Sequence, residues 1–121
     1  MPIKKILIAD DSASDRHYLS EKLVKQGYHC ITAETGAEAV AKSKIERPDL
    51  ILMDVIMPGT NGYEATRAIT RDEATRNIPV IICTAKDQST DRLWGLRQGA
   101  RDYLTKPVDI DALIEKIQAL N

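Results

Sequence analysis

The residues best suited to chemistry are three aspartates, a threonine and a lysine, each standing at the end of a short run of strand-like sequence. Asp10 and Asp11 follow Ile6-Leu7-Ile8-Ala9, Asp54 follows Leu50-Ile51-Leu52-Met53, Thr84 follows Val80-Ile81-Ile82-Cys83, and Lys106 follows the weaker run from Arg101 to Leu104. Taken singly, Asp10, Asp11 or Thr84 could cap the next helix, and Lys106 could be a solvated charge. Taken together they require an electrostatic explanation, because two like charges about 4 Å apart repel by about 4 kcal/mol at an effective dielectric near 20. Three clustered carboxylates need a cation. Oxygen ligands with no clustered histidine or thiolate select a hard ion, and Mg²⁺ pairs one or two carboxylates with waters and a phosphoryl oxygen. The chemistry implied is phosphoryl transfer: a carboxylate acts as nucleophile to give an acyl phosphate, the metal and Lys106 offset charge, and Thr84 hydrogen-bonds a phosphoryl oxygen.

For these residues to meet, the runs before them must lie side by side. Three of the runs are continuously apolar, as in parallel strands covered on both faces, and weaker strands near His29 to Ala33 and Arg101 to Leu104 bring the expected total to five. Helical sequence follows each, over roughly Ser14 to Gln26, Ala37 to Glu46, Tyr63 to Asp72, Thr90 to Gln98 and a last helix from Ile110 with Asp109 as its N-cap. Gly27 and Gly99 are the expected helix stops. Alternating strand and helix predict a doubly wound α/β fold with a parallel sheet in the order 2-1-3-4-5, the flavodoxin-like arrangement, whose crevice lies beyond the carboxyl ends of the strands.

The 121 residues have room for one domain, read as spanning residues 1–121 without an output domain. Seventeen basic and eighteen acidic side chains nearly cancel, so no net field argues for nucleic acid or a membrane surface as partner. Cys30 and Cys83 lie in apolar runs without C-x-x-C spacing, which suggests reduced thiols in a cytoplasmic protein. Gly59-Thr60-Asn61-Gly62 matches no phosphate-binding glycine motif and reads as the turn into the third helix. Trp94 reads as a packing or partner-facing aromatic, and His17 and His29 are isolated.

Asp10-Asp11, Leu52-Met53-Asp54-Val55-Ile56-Met57-Pro58-Gly59, Thr84-Ala85 and Lys106-Pro107, in this order and spacing, resemble the receiver domains of two-component response regulators from Ile6 to the C-terminus. The resemblance implies that Asp54 accepts a phosphoryl group from a histidine kinase. It further implies that Asp11 and Asp54 bind Mg²⁺ directly, Asp10 assists, and the backbone carbonyl of Ile56 is a further ligand. Lys106 would contact the phosphoryl group and Thr84 would move toward it. Tyr103 would then swing inward and the face of helix four, strand five and helix five would change to meet a downstream protein, in a monomer or a weak phosphorylation-dependent dimer. The run from Trp94-Gly95 through Gln98-Gly99-Ala100-Arg101-Asp102-Tyr103 to Asp109 is similar to small regulators of type IV pilus twitching motility, which belong to chemotaxis-like systems.

Apolar Ile56 stands two residues after Asp54 and cationic Lys86 two residues after Thr84, a pair expected to tune acyl-phosphate lifetime, with Ile56 excluding water. Competing readings are weaker. An Mg²⁺-dependent phosphatase needs a second acid where Ile56 stands, and a flavin carrier needs a hydroxyl-rich loop where Asp10 and Asp11 stand. A phosphorylation-independent scaffold fits a pocket that has lost its acids, whereas this one keeps them.

Overall fold

The computed structural model describes residues 2–121, in which the apolar runs become the strands of one sheet. In chain order the elements are β1 (Lys5–Ala9), α1 (Ala13–Lys25), β2 (His29–Ala33), α2 (Gly36–Glu46), β3 (Leu50–Met53), α3 (Gly62–Arg71), β4 (Val80–Thr84), α4 (Ser89–Arg97), β5 (Asp102–Thr105) and α5 (Ile110–Leu120). All strands pair in parallel, in the order β2-β1-β3-β4-β5. The doubly wound, flavodoxin-like expectation is met, with β5 one residue later than its sequence pattern suggested.

Side chains alternate between the faces of a strand, so each continuous apolar run feeds two cores. Ile6, Ile8, Leu50, Leu52, Ile81 and Cys83 cluster with Leu19 and Leu23 of α1 and with Leu113 and Ile117 of α5. Leu7, Ala9, Ile51, Met53 and Val80 cluster with Ala39 of α2 and with Ala65 and Ile69 of α3. Burying each leucine or isoleucine contributes about 1.5–3 kcal/mol, which makes the central strands a rigid base for whatever follows them.

The helix starts free the acids for other work. Ser12, not Asp10 or Asp11, caps α1 by accepting from the Asp15 amide at 3.3 Å. Thr35, Asn61 and Asp109 cap α2, α3 and α5, and α4 begins after Gln88, four residues beyond Thr84. The capping roles open to Asp10, Asp11 and Thr84 on sequence therefore fall to other residues. Gly27 (φ 96°) and Gly99 (φ 108°) adopt the left-handed region just past α1 and α4, as expected of helix stops. Both cysteines are free thiols, and among the described residues no helix is long and apolar enough to cross a membrane.

Candidate functional site

Strand order decides which residues meet. After β1 the chain turns toward β2, and after β3 it turns the other way toward β4, so a crevice opens between the ends of β1 and β3. Register places Ala9 opposite Met53, which makes Asp10 and Asp54 neighbours; the Asp54 amide donates to the Ala9 carbonyl at 2.9 Å. On the other side Thr84 lies opposite Thr105, and the Lys106 amide donates to the Thr84 carbonyl at 2.8 Å. The five residues singled out from sequence thus come from three neighbouring loops and the end of β4.

One carboxylate oxygen from each of Asp10, Asp11 and Asp54 lies within 4.8 Å of the others; Asp10 and Asp54 are buried and Asp11 is exposed. Lys106 reaches into the same space, its Nζ donating to Asp10 Oδ2 at 2.7 Å, Asp15 Oδ2 at 2.7 Å and Asp54 Oδ2 at 3.1 Å. The other Asp54 oxygen, Oδ1, accepts the amides of Val55 at 2.7 Å and Ile56 at 3.3 Å. Those bonds fix the carboxylate plane and bring the Ile56 backbone beside it. Asp10 Oδ1 accepts the Ser12 amide at 2.9 Å, and Arg16 Nη1 donates to the Asp10 carbonyl at 2.7 Å.

Electrostatics follow from this crowding. Burial lifts the Asp10 carboxyl above its ordinary value, against the opposing pull of Lys106 and the Ser12 amide. Burial would depress the Lys106 ammonium, yet its bonds to Asp10, Asp15 and Asp54 hold it above the ordinary lysine range. Burial also pushes the Cys83 thiol up to about 12, so this neighbour of the pocket is no nucleophile. One ammonium faces four carboxylates, counting Asp15. An all-oxygen donor set carrying surplus negative charge fits a hard divalent cation.

Backbone geometry holds Asp54 from behind. A Cβ at Gly62 would stand 1.9 Å from the Asp54 carbonyl oxygen, so glycine is what lets α3 start against the end of β3. The Gly62 amide donates to the Val55 carbonyl at 3.0 Å, and Gly59 turns the connecting loop at φ 72°. The segment is the turn into α3 that the sequence suggested.

Thr84 is fully buried, with Oγ1 3.5 Å from the Lys86 amide. Tyr103 is 4% exposed and turned inward, and its hydroxyl donates to the Lys86 carbonyl at 2.9 Å. Ile56 is 54% exposed. On α4, Leu93 and Trp94 are about half exposed, so Trp94 is a surface aromatic rather than a core one. His17 and His29 lie in exposed positions away from the pocket.

Three contributors escaped the sequence reading. Asp15 was detectable only as an acid in the first turn of α1, where the helix dipole alone would explain it. Arg16 binds a backbone carbonyl, which leaves no sequence signature. Tyr63, whose hydroxyl reaches the Asp91 carbonyl at 3.1 Å, became visible once α3 packed against α4.

A doubly wound parallel sheet with an aspartate-rich, lysine-containing pocket at the β1/β3 crevice defines a flavodoxin-like domain whose acidic donor set fits a hard cation. Comparison with known proteins carries this further. The chain belongs to the response regulator receiver domain family, whose pattern matches residues 6–118. It is 53% identical over 116 residues to protein PilH of Pseudomonas aeruginosa, covering 96% of each chain. Its structure is similar to the chemotaxis protein CheY4 of Vibrio cholerae, with a TM-score of 0.90 at 32% identity over 98% of this chain and 99% of that one. A second similar structure is the receiver domain of the sensor histidine kinase PA1611 from Pseudomonas aeruginosa, with a TM-score of 0.89 at 33% identity over 97% and 96% of the two chains. That protein has a magnesium ion coordinated in its active site cleft. The chain is therefore a signalling domain of two-component systems.

Proposed function

We propose that this receiver takes a phosphoryl group from the phosphohistidine of a histidine kinase onto Asp54, with Mg²⁺ held by Asp10, Asp11, Asp54 and the Ile56 carbonyl. The observation that carries the reading is the contact of Lys106 Nζ with Asp54 Oδ2 at 3.1 Å inside a three-aspartate cluster. A bound divalent cation supplies charge neutralisation for carboxylates and phosphoryl oxygens. The rest belongs to the chain. An Asp54 carboxylate oxygen attacks phosphorus, the phosphorus–nitrogen bond breaks, and its electron pair returns to the histidine ring. Lys106 gives up part of its carboxylate shell to meet a phosphoryl oxygen, and the Thr84 hydroxyl supplies a further donor.

The new dianionic group favours one conformation only through contacts stronger there, and Thr84 and Lys106 are the groups placed to make them. The face of α4, β5 and α5, with Leu93 and Trp94 exposed on α4, then changes to bind a downstream protein, or the domain drains phosphate from a shared kinase. The 53% identity to PilH over 96% of each chain, with the twitching-regulator likeness of the run from Trp94 to Asp109, supports a place in type IV pilus motility or taxis signalling. Ile56, where a dehalogenase-type phosphatase needs its acid, supports a phosphoswitch over turnover of external phosphate esters.

The test is incubation with Mg²⁺ and acetyl phosphate followed by intact mass spectrometry. One added phosphoryl group, lost with EDTA and in Asp54→Asn, is the expected result. A Mg²⁺-independent adduct, or one that persists in Asp54→Asn, overturns the assignment.

A further inference from the structure

The inward place of Tyr103 is built by residues outside the phosphorylation pocket. Its ring lies in an apolar cluster with Val55, Ile82 and Ala100, against which Tyr63 and Leu96 pack. Space for the ring comes from Gly95 on α4, where a Cβ would stand 3.0 Å from Tyr103 Cδ2, 3.2 Å from Cε2 and 2.8 Å from Ile82 Cδ1. Its hydroxyl donates to the Lys86 carbonyl at 2.9 Å, which leaves the phenol oxygen free to accept. The Tyr63 hydroxyl lies 3.5 Å from that oxygen and 3.1 Å from the Asp91 carbonyl at the start of α4. Its single proton can serve either acceptor.

We propose that Tyr63 is a positioning residue: together with the space left at Gly95, its hydroxyl holds Tyr103 inward and ties α3 to the loop between Thr84 and α4. The chain of contacts is short. Tyr63 meets Tyr103, Tyr103 holds the Lys86 carbonyl, and the Lys86 amide lies 3.5 Å from Thr84 Oγ1. Holding Lys86 in one place orders the Thr84 side of the pocket, so loosening Tyr103 weakens the grip on a phosphoryl-like anion, and by reciprocity a bound anion steadies Tyr103. Burial keeps the Tyr103 phenol protonated well above ordinary pH, so it remains a donor to Lys86. This second consequence rests on the phosphoswitch reading, whereas the placement of Tyr103 by Tyr63 does not.

Two measurements on the full chain separate them. Selective ¹³C labelling of tyrosine follows the Tyr103 ring by NMR, and titration with beryllofluoride in Mg²⁺, read by Trp94 fluorescence or by the same NMR signals, follows anion affinity. In Tyr63→Phe the Tyr103 signals move toward exposed, averaged values and anion affinity falls about two- to tenfold, the size of one hydrogen bond. Gly95→Ala moves the ring further in the same direction. Tyr63→Phe added to Tyr103→Phe produces little further loss of affinity, because the shared bond is already gone. Unchanged Tyr103 signals in Tyr63→Phe overturn the placement, and additive affinity losses in the double variant overturn the coupling. Absence of beryllofluoride binding to the unmutated chain counts against the phosphoswitch reading, while the NMR arm still decides the placement.

Discussion

Lys106 Nζ lies 2.7 Å from Asp10 Oδ2 although 96 residues separate them in the chain, and the same ammonium donates to Asp15 and Asp54. One cation therefore holds three carboxylates from two different loops and a helix. Lys106→Ala leaves those acids to repel one another in a site that is largely shielded from water. Its expected cost is about 3 kcal/mol in unfolding free energy without divalent cation, the low end for breaking a buried pair because Asp15 is partly exposed. Urea denaturation with and without MgCl₂ checks this: Mg²⁺ recovers a larger part of the stability in the variant than in the parent.

Gly62 is the tightest point behind the phosphoacceptor. Since an added Cβ meets the Asp54 carbonyl oxygen at 1.9 Å, Gly62→Ala must push α3 or the end of β3 aside. A loss of about 1–3 kcal/mol is expected, as for other overpacked sites, with slower phosphorylation by acetyl phosphate. Thermal unfolding and adduct formation are the readouts; an unperturbed variant would show that the loop yields freely.

Ile56 is 54% exposed beside the carboxylate that its amide helps to hold. A bulky apolar side chain at that position obstructs water on its way to an acyl phosphate, whereas a shorter amide admits and orients it. Ile56→Asn is expected to shorten the half-life of phosphorylated protein severalfold without changing the fold. Loss of the added mass with time measures it, and equal decay in the two proteins removes the role assigned to Ile56.

At the far edge of the sheet, Asp102 accepts from Lys116 at 2.7 Å and lies 3.5 Å from Arg92. Burial alone would raise its carboxyl, but Lys116, the Tyr103 amide and the charge of Arg92 hold it below its ordinary value. A carboxyl lowered by folding stabilises the fold above its unfolded value, near pH 4, and that contribution disappears as pH falls through the folded value. The group is partly solvated, so the contribution is under about 1 kcal/mol. The melting-temperature difference between the parent and Asp102→Asn should be constant above about pH 5 and shrink below about pH 4. A gap independent of pH would assign the effect to hydrogen bonding rather than charge.

What the sequence determined by itself is local or periodic. Continuous apolar runs marked the central strands because such runs are stable only when helices cover both faces of the sheet, and the residues ending them were readable because a parallel sheet brings its carboxyl ends to one edge. That logic reached Asp10, Asp11, Asp54, Thr84 and Lys106. What tertiary structure alone decided is direction and distance. Capping by Ser12 left both acids free, a contact between α1 and the β5 loop brought Asp15 to Lys106, and tertiary packing put the Tyr63 hydroxyl of α3 3.5 Å from the Tyr103 hydroxyl of β5. The inward turn of Tyr103 likewise depends on space at Gly95, one helix away. Side-chain partners across 40 or 90 residues leave no periodicity in the chain, because they are chosen by how layers pack and not by how each segment folds.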